Sequence, residues 1–351
     1  MKRLVAIAAM LCVLAATGWA QVLDKPAATV RLIRTDVITV GQLQKVVASL
    51  QTSAGRLLTQ DERKLALNTM VEGALIEQAA DRDKIVVSDA ELKSAVDGYR
   101  KSLATAANLG RDLTDAEFAQ YLKNNNISND EFTKQVRDSR LRLDYVMAKK
   151  KGLLDGVKAV TDQEASDYYD AHKSAFFVDD IVVLRHIFVD TRTLTAKDEK
   201  DKAAKRADDI LKELKAGASF SDLVLKYSDD AASKYKGGEI GALSRSDTQR
   251  RQLFGTAFFD AVFKLKQGET SGVIPSNLGF HIVQVANRYN AQLLSLDDKI
   301  PPTNQATVRE YIKALILNQR QNDAMTAAAS DLVADLKKQA EIHTYDDNLT
   351  W

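Results

Sequence analysis

Between residues 59 and 164 the chain repeats one four-residue pattern five times: Thr59 with Glu62, Ser88 with Glu91, Thr114 with Glu117, Ser128 with Glu131, and Thr161 with Glu164. A Ser or Thr followed three residues later by Glu is the capping-box spacing. The hydroxyl accepts from the third amide of a new helix, and the glutamate reaches back to the cap's own amide. One match carries little weight. Five within about 105 residues, each opening an apolar-periodic stretch, predict an all-α region. Leu67, Met70, Val71, Ala74, Leu75 and Gln78 share one face of its longest helix, with Gln78 the polar exception. Phe118, Tyr121 and Leu122 repeat the spacing in a short helix, and Phe132, Val136, Leu141, Leu143 and Val146 in the next. Apolar residues at this spacing read as core.

Before the helices, Ala28 to Val40 reads as a β-hairpin with a polar turn at Arg34-Thr35-Asp36. After them the character changes near Phe176. Ile181 to Val189 is a β-branched run, Lys197 to Lys215 a highly charged helix closed by Gly217, and Ser219 to Tyr227 a second short helix. Glycines then punctuate the chain, and a strand is expected from Phe280 to Val285. Past Pro301-Pro302 a long amphipathic helix is expected over 305–338, with Val308, Ile312, Leu315, Ile316, Met325, Leu332, Val333 and Leu336 on its stripe. Such a stripe needs cover, and the α+β module before it is already complete. The helix is therefore expected to return to the N-terminal helices, with 341–345 adding a strand beside Val30.

Residues 1–20 read as a secretory signal peptide: Lys2 and Arg3, an apolar run from Leu4 to Ala16, and the small residues Gly18 and Ala20 before a cleavage site. The apolar run is short for a membrane span, although an uncleaved signal anchor is the alternative. The expected location is the periplasm, with no stable membrane insertion after cleavage. Cys12 is the sole cysteine and leaves with that segment, which excludes a disulfide scaffold, a thiolate nucleophile and a zinc–cysteine site. Without Lys2 and Arg3, 47 basic residues face 48 acidic ones. Near neutrality argues against nucleic acid as a partner.

Several chemistries are absent. The chain has no P-loop, no HExxH and no GxSxG. None of its four histidines pairs with another at i+3 or i+4, so no metal and no cofactor are expected. Gly237-Gly238-Glu239-Ile240-Gly241 lacks the dinucleotide spacing. His186 and His281 stand apart because each sits inside an apolar strand. Taken singly, such a histidine reads as a hydrogen-bonded core residue.

Their surroundings alter that reading. Arg185-His186-Ile187, then Phe220-Ser221-Asp222-Leu223 with Tyr227-Ser228-Asp229-Asp230, then Gly237 to Gly241, then Phe258 to Leu265 with Gly268-Glu269-Thr270-Ser271, and finally Gly279-Phe280-His281-Ile282-Val283 follow one another over 181–289. In order and spacing these resemble the parvulin family of peptidyl-prolyl isomerases. The wider plan resembles the SurA- and PrsA-like chaperones of the cell envelope. The resemblance implies a helical SurA-N-like domain over 21–175, an α+β parvulin domain over 181–289 with a four-stranded antiparallel sheet, and a returning helix and strand over 303–351 that completes the first domain. It implies that His186 and His281 face each other at the sheet centre, with Asp230 beside the substrate carbonyl. Phe254 and Phe258, four apart on a helix start, would wall the proline pocket, and Ser276 would close the site. Leu278 stands where some members carry Ser and others an aromatic. The segment Ser244–Leu253 is longer than in small parvulins and holds Arg245, Arg250 and Arg251; it reads as a solvated loop.

Two functions of different class follow. One is a prolyl isomerase and chaperone assisting exported or outer-membrane proteins, with unfolded or partly folded polypeptides bearing X–Pro bonds as partners. The other is a client-binding chaperone whose parvulin domain is weak or inactive. Either a monomer or a homodimer is compatible with the sequence.

Overall fold

The computed structural model describes residues 24–107 and 109–351; the expected signal peptide lies outside the described residues. The chain forms two compact units, 24–158 with 319–351, and 159–318.

The first unit opens with β1 (Pro26–Arg31) and β2 (Thr35–Thr39), an antiparallel hairpin. Its turn lies at 32–34 rather than at Arg34–Asp36. The cause is Gln78. Its Oε1 accepts the amides of Leu32, Ile33 and Arg34 at 2.9, 3.0 and 3.4 Å, and its Nε2 donates to Val30 O and Asp36 Oδ2 at 3.2 and 2.8 Å. Amides gathered onto one carboxamide oxygen cannot also pair across a hairpin, so Leu32 leaves the strand. Gln78 is fully buried, which its complete set of partners makes tolerable.

Helices α1 (Val40–Ala54), α2 (Gln60–Arg82), α3 (Asp89–Ala106), α4 (Asp115–Asn124), α5 (Asn129–Lys149) and α6 (Lys151–Asp155) follow. The boxes at Thr59, Ser88 and Thr114 close in both directions. At Ser128 only the hydroxyl half forms, and Glu131 Oε1 is buried without a hydrogen-bond partner. Thr39 and Gln42 close a box that a search for Glu alone passes over. Leu43, Val47, Leu67, Val71, Leu75 and Tyr145 lie in one core cluster, whereas Leu92, Phe118, Leu122, Phe132 and Val136 form another. Helix α5 crosses from the second cluster to the first. Leu143, expected in the core, falls at that change of partner and is exposed.

The second unit contains α7 (Asp162–Ala171), β3 (Phe177–Val178), β4 (Ile181–Asp190), α8 (Lys197–Lys215), α9 (Phe220–Tyr227), β5 (Glu239–Ser244), α10 (Thr248–Phe254), α11 (Thr256–Val262), β6 (Thr270–Pro275), β7 (Gly279–Tyr289) and β8 (Gln292–Leu293). The fifth expected box, at Thr161, closes fully on α7. Four strands form an antiparallel sheet in the order β5-β4-β7-β6. On one face Ile187, Val189 and Ile282 meet Ala203, Ala207 and Ile210 of α8 and Leu223 and Val224 of α9. On the other, Val182, Leu184, Val283 and Val285 meet Phe258, Phe259 and Val262 of α11. The strand alternation thus feeds two cores at once.

The long α12 (Val308–Lys337) is capped by Thr307 and Glu310 in the same reciprocal way. Its Val308 and Ile312 pack with Ala165, Phe176 and Leu294 in the second unit, while Ala328, Leu332, Val333 and Leu336 lie in the first unit's core. The buried line near its start runs through Val308, Ile312 and Ile316 at a spacing of four, which leaves Leu315 exposed. Finally β9 (Glu341–Thr344) pairs antiparallel with β1, giving the sheet β2-β1-β9. The helical N-terminal domain is therefore completed by the C-terminal helix and strand.

Candidate active site

Antiparallel register sets Phe188 of β4 opposite His281 of β7, and His186 opposite Val283. Residues two apart on a strand share a face, so both imidazoles and Phe188 point toward the α11 side. The two histidines are 4% and 1% exposed. Their Nδ1 atoms are 3.1 Å apart. His186 Nε2 lies 3.1 Å from Asp230 Oδ2, and His281 Nε2 lies 2.7 Å from Ser276 Oγ. Ser233 Oγ donates to the same Asp230 oxygen at 2.5 Å. Five side chains thus form one hydrogen-bonded line from Ser276 to Ser233.

The chemistry of the ends assigns the protons along it. An ionised Asp230 only accepts, so His186 Nε2 carries hydrogen. Neutral His186 then accepts at Nδ1, which requires hydrogen on His281 Nδ1 and a lone pair on its Nε2. Ser276 Oγ accepts from the amides of Leu278 and Gly279 at 3.0 and 3.2 Å, and of the two acceptors open to its own proton, His281 Nε2 at 2.7 Å is nearer than Gly279 O at 3.2 Å. The line is complete only with both rings neutral. Burial, and then the neighbouring His186, push the His281 pKa down to about 3. Burial also holds His186 below its ordinary value, outweighing the raising effect of Asp230.

Aromatic rings wall this line. Phe188 stacks on His281 at 4.7 Å between centroids, and Phe258 meets the same imidazole edge-on at 4.9 Å. Phe254 stacks on Phe258 at 4.7 Å and lies 5.7 Å from His281. The two phenylalanines are not on one helix start, as expected from their spacing. Phe254 ends α10 and Phe258 lies in α11, with Gly255 at φ +92° between them, a conformation that breaks the helix. Phe258 is fully buried; Phe254 is half-buried. Leu278 enters through its backbone, its amide to Ser276 and its carbonyl to Thr191 N at 3.0 Å.

The expected solvated loop at Ser244–Leu253 is instead largely α10. Its arginines are tied into the domain. Arg245 pairs with Asp180 and sits 4.5 Å over the Phe263 ring; Arg250 donates to Ala242 O; Arg251 lies 5.0 Å over Phe259. The glycine run has a backbone purpose. Gly238 O accepts His186 N at 2.8 Å, and a Cβ on Gly238 would come within 2.5 Å of His186 O at φ +83°. The turn must lack a side chain for the strand carrying His186 to lie against it.

Three contributors went unread in the sequence. Phe188 is legible as the same-face neighbour of His186. Ser228, whose Oγ accepts Phe188 N at 3.2 Å, stands in the Tyr227-Ser228-Asp229-Asp230 motif but with no role assigned to it there, whereas Ser233, three residues after Asp230, carries no signal beyond a common residue type.

Residues 171–289 match the family model of the PPIC-type PPIase domain, and residues 2–145 match the SurA-like N-terminal domain. A foldase protein PrsA of Clostridium botulinum strain Langeland is 25% identical over 300 residues, covering 85% of this chain and 78% of the relative. A foldase protein PrsA of Caldanaerobacter subterraneus is 28% identical over 237 residues, covering 68% of this chain and 64% of the relative. Among solved structures, PrsA from Bacillus subtilis is 24% identical with TM-score 0.29, covering 86% of this chain and 88% of that one.

Proposed function

We propose, on the premise that this chain joins a SurA-like N-terminal domain to a PPIC-type isomerase domain, that it isomerises X–Pro bonds in exported polypeptides while its helical unit holds them as a chaperone. The observation that carries this reading is the neutral line Ser276–His281–His186–Asp230 beneath the Phe254–Phe258 stack.

An X–Pro bond turns over a barrier of about 18–20 kcal/mol because twisting removes amide resonance. The twisted amide is less polar than the planar one, so a dry aromatic wall favours it. Half-buried Phe254 meets the ring, and fully buried Phe258 backs it. Asp230, a quarter exposed at its side chain, presents the fixed charge that the carbonyl senses as it rotates. The histidines carry no charge of their own. They hold Asp230 from behind, and no covalent step is required. A thousandfold acceleration needs only about 4 kcal/mol.

In this reading residues 181–289 are the catalytic part. The unit of 24–158 with 319–351 supplies the holding surface, and the chain works in the periplasm after loss of 1–20. Among the described residues no helix is long and apolar enough to cross a membrane. The reading is tested by the refolding of a proline-limited exported protein. The full chain is expected to speed the slow phase. Phe254→Ala, which trims the half-buried ring while leaving fully buried Phe258 in place, is expected to lower that acceleration about tenfold or more. An unaccelerated slow phase with suppressed client aggregation would leave the chaperone alone.

A further inference from the structure

We propose that Ser233 is a positioning residue for Asp230, fixing the orientation and the ionised state of the carboxylate on which the neutral histidine pair depends. This rests on the isomerase reading above for its effect on catalysis, but not for its effect on Asp230 itself.

Ser233 is 1% exposed, and its hydroxyl spends its proton on Asp230 Oδ2, the oxygen that also faces His186. The other oxygen, Oδ1, accepts the Ala232 amide at 3.2 Å. Ser233 is itself held at both ends. Its amide reaches Asp230 O at 3.3 Å, and its carbonyl accepts Lys236 N and Gly238 N at 2.8 and 2.9 Å. Gly238 in turn bonds the His186 backbone. One small loop thereby ties the carboxylate to the strand that carries its histidine partner.

The groups around Asp230 leave this role to Ser233. His186 offers a neutral N–H. Arg192, in the loop after β4, is engaged with Asp190, and Asp229 is engaged with Arg206. Lys234 follows Ser233 in the chain. Burial alone would raise the Asp230 pKa; the bond from Ser233, then that from His186, outweighs it and holds the carboxyl below its usual value. A proton on Asp230 Oδ2, the oxygen that faces both His186 and Ser233, would turn that acceptor into a donor, reverse the donors along the line and end on Ser276, whose lone pairs are already taken by two amides. Keeping Asp230 ionised therefore keeps the whole line in register.

The test is a side-chain NMR titration of the full chain, following the Asp230 carboxyl carbon and the histidine ring nitrogens, alongside the pH profile of kcat/KM. In Ser233→Ala the Asp230 midpoint is expected to rise by about one pH unit, the size of one lost charge-assisted hydrogen bond. The acid limb of kcat/KM is expected to follow it, while the value at pH 8 stays within about threefold. Ser233→Thr, which keeps the hydroxyl, is expected to restore both. An unmoved midpoint in folded Ser233→Ala, or Ser233→Thr titrating like Ser233→Ala, would overturn the assignment. A midpoint that moves as expected in a protein that catalyses nothing at any pH supports the role of Ser233 and removes the isomerase reading instead.

Discussion

Gln78→Leu is expected to destabilise the helical unit by roughly 3–5 kcal/mol, although leucine is similar in size and more apolar. The carboxamide serves three amides, one carbonyl and one carboxylate of the β1–β2 hairpin. A buried donor or acceptor left unpaired costs about 1–3 kcal/mol, and water reaches only part of this turn. The hairpin edge also carries β9, so the loss spreads to the strand that completes the domain. Urea unfolding followed by circular dichroism reads the effect. A Gln78→Leu protein as stable as wild type would mean that the turn holds itself.

Acidification is expected to weaken the second unit by roughly 3 kcal/mol between pH 6.5 and pH 4. Unfolded histidine takes up a proton below about pH 6.5. His281 in the folded unit resists protonation down to about 3, so the unfolded state binds more protons across that interval. Stability is therefore complete above pH 6.5 and declines as pH falls toward 3. His186, also held low by burial, acts in the same direction. Asp180 and Asp190, held low chiefly by the hydrogen bonds of Arg245 and Arg192, contribute only below about pH 4, outside the window. His281→Phe removes one of the two titrating imidazoles and is expected to make the curve shallower, leaving the contribution of His186. Chemical denaturation at several pH values, followed by near-ultraviolet signals of the second unit, supplies the measurement. A wild-type curve already flat from 6.5 to 4 would show that the line accepts a proton easily.

These two sites illustrate what was legible. Helix starts were readable because a capping box is complete within four residues, and the same local rule, extended to Gln and to residue 307, would have found α1 and the true start of α12 as well. Gln78 was visible as a polar interruption of an apolar face, but its partners lie over 40 residues away in a hairpin, and no local pattern names them. The histidines stood out by their strand context, and the resemblance linked them to Asp230 and Ser276. The break between Phe254 and Phe258 turned on the backbone of a single glycine, which a spacing of four does not reveal. The arginines near 250 looked solvated because their partners, Asp180 and the rings of Phe259 and Phe263, are set by tertiary packing. Ser233 was hidden for the opposite reason: a serine three residues after an aspartate is too common to single out.

In the proposed function, a charge fixed behind an aromatic wall turns X–Pro bonds. Exchange NMR on a short X–Pro peptide with wild-type protein and with Asp230→Ala tests it most directly. The wild type is expected to broaden or exchange the cis and trans signals far beyond the uncatalysed rate, and Asp230→Ala to lose about a hundredfold of that acceleration while keeping its fold. Equal acceleration by both proteins, or none by a well-folded wild type, would contradict the account.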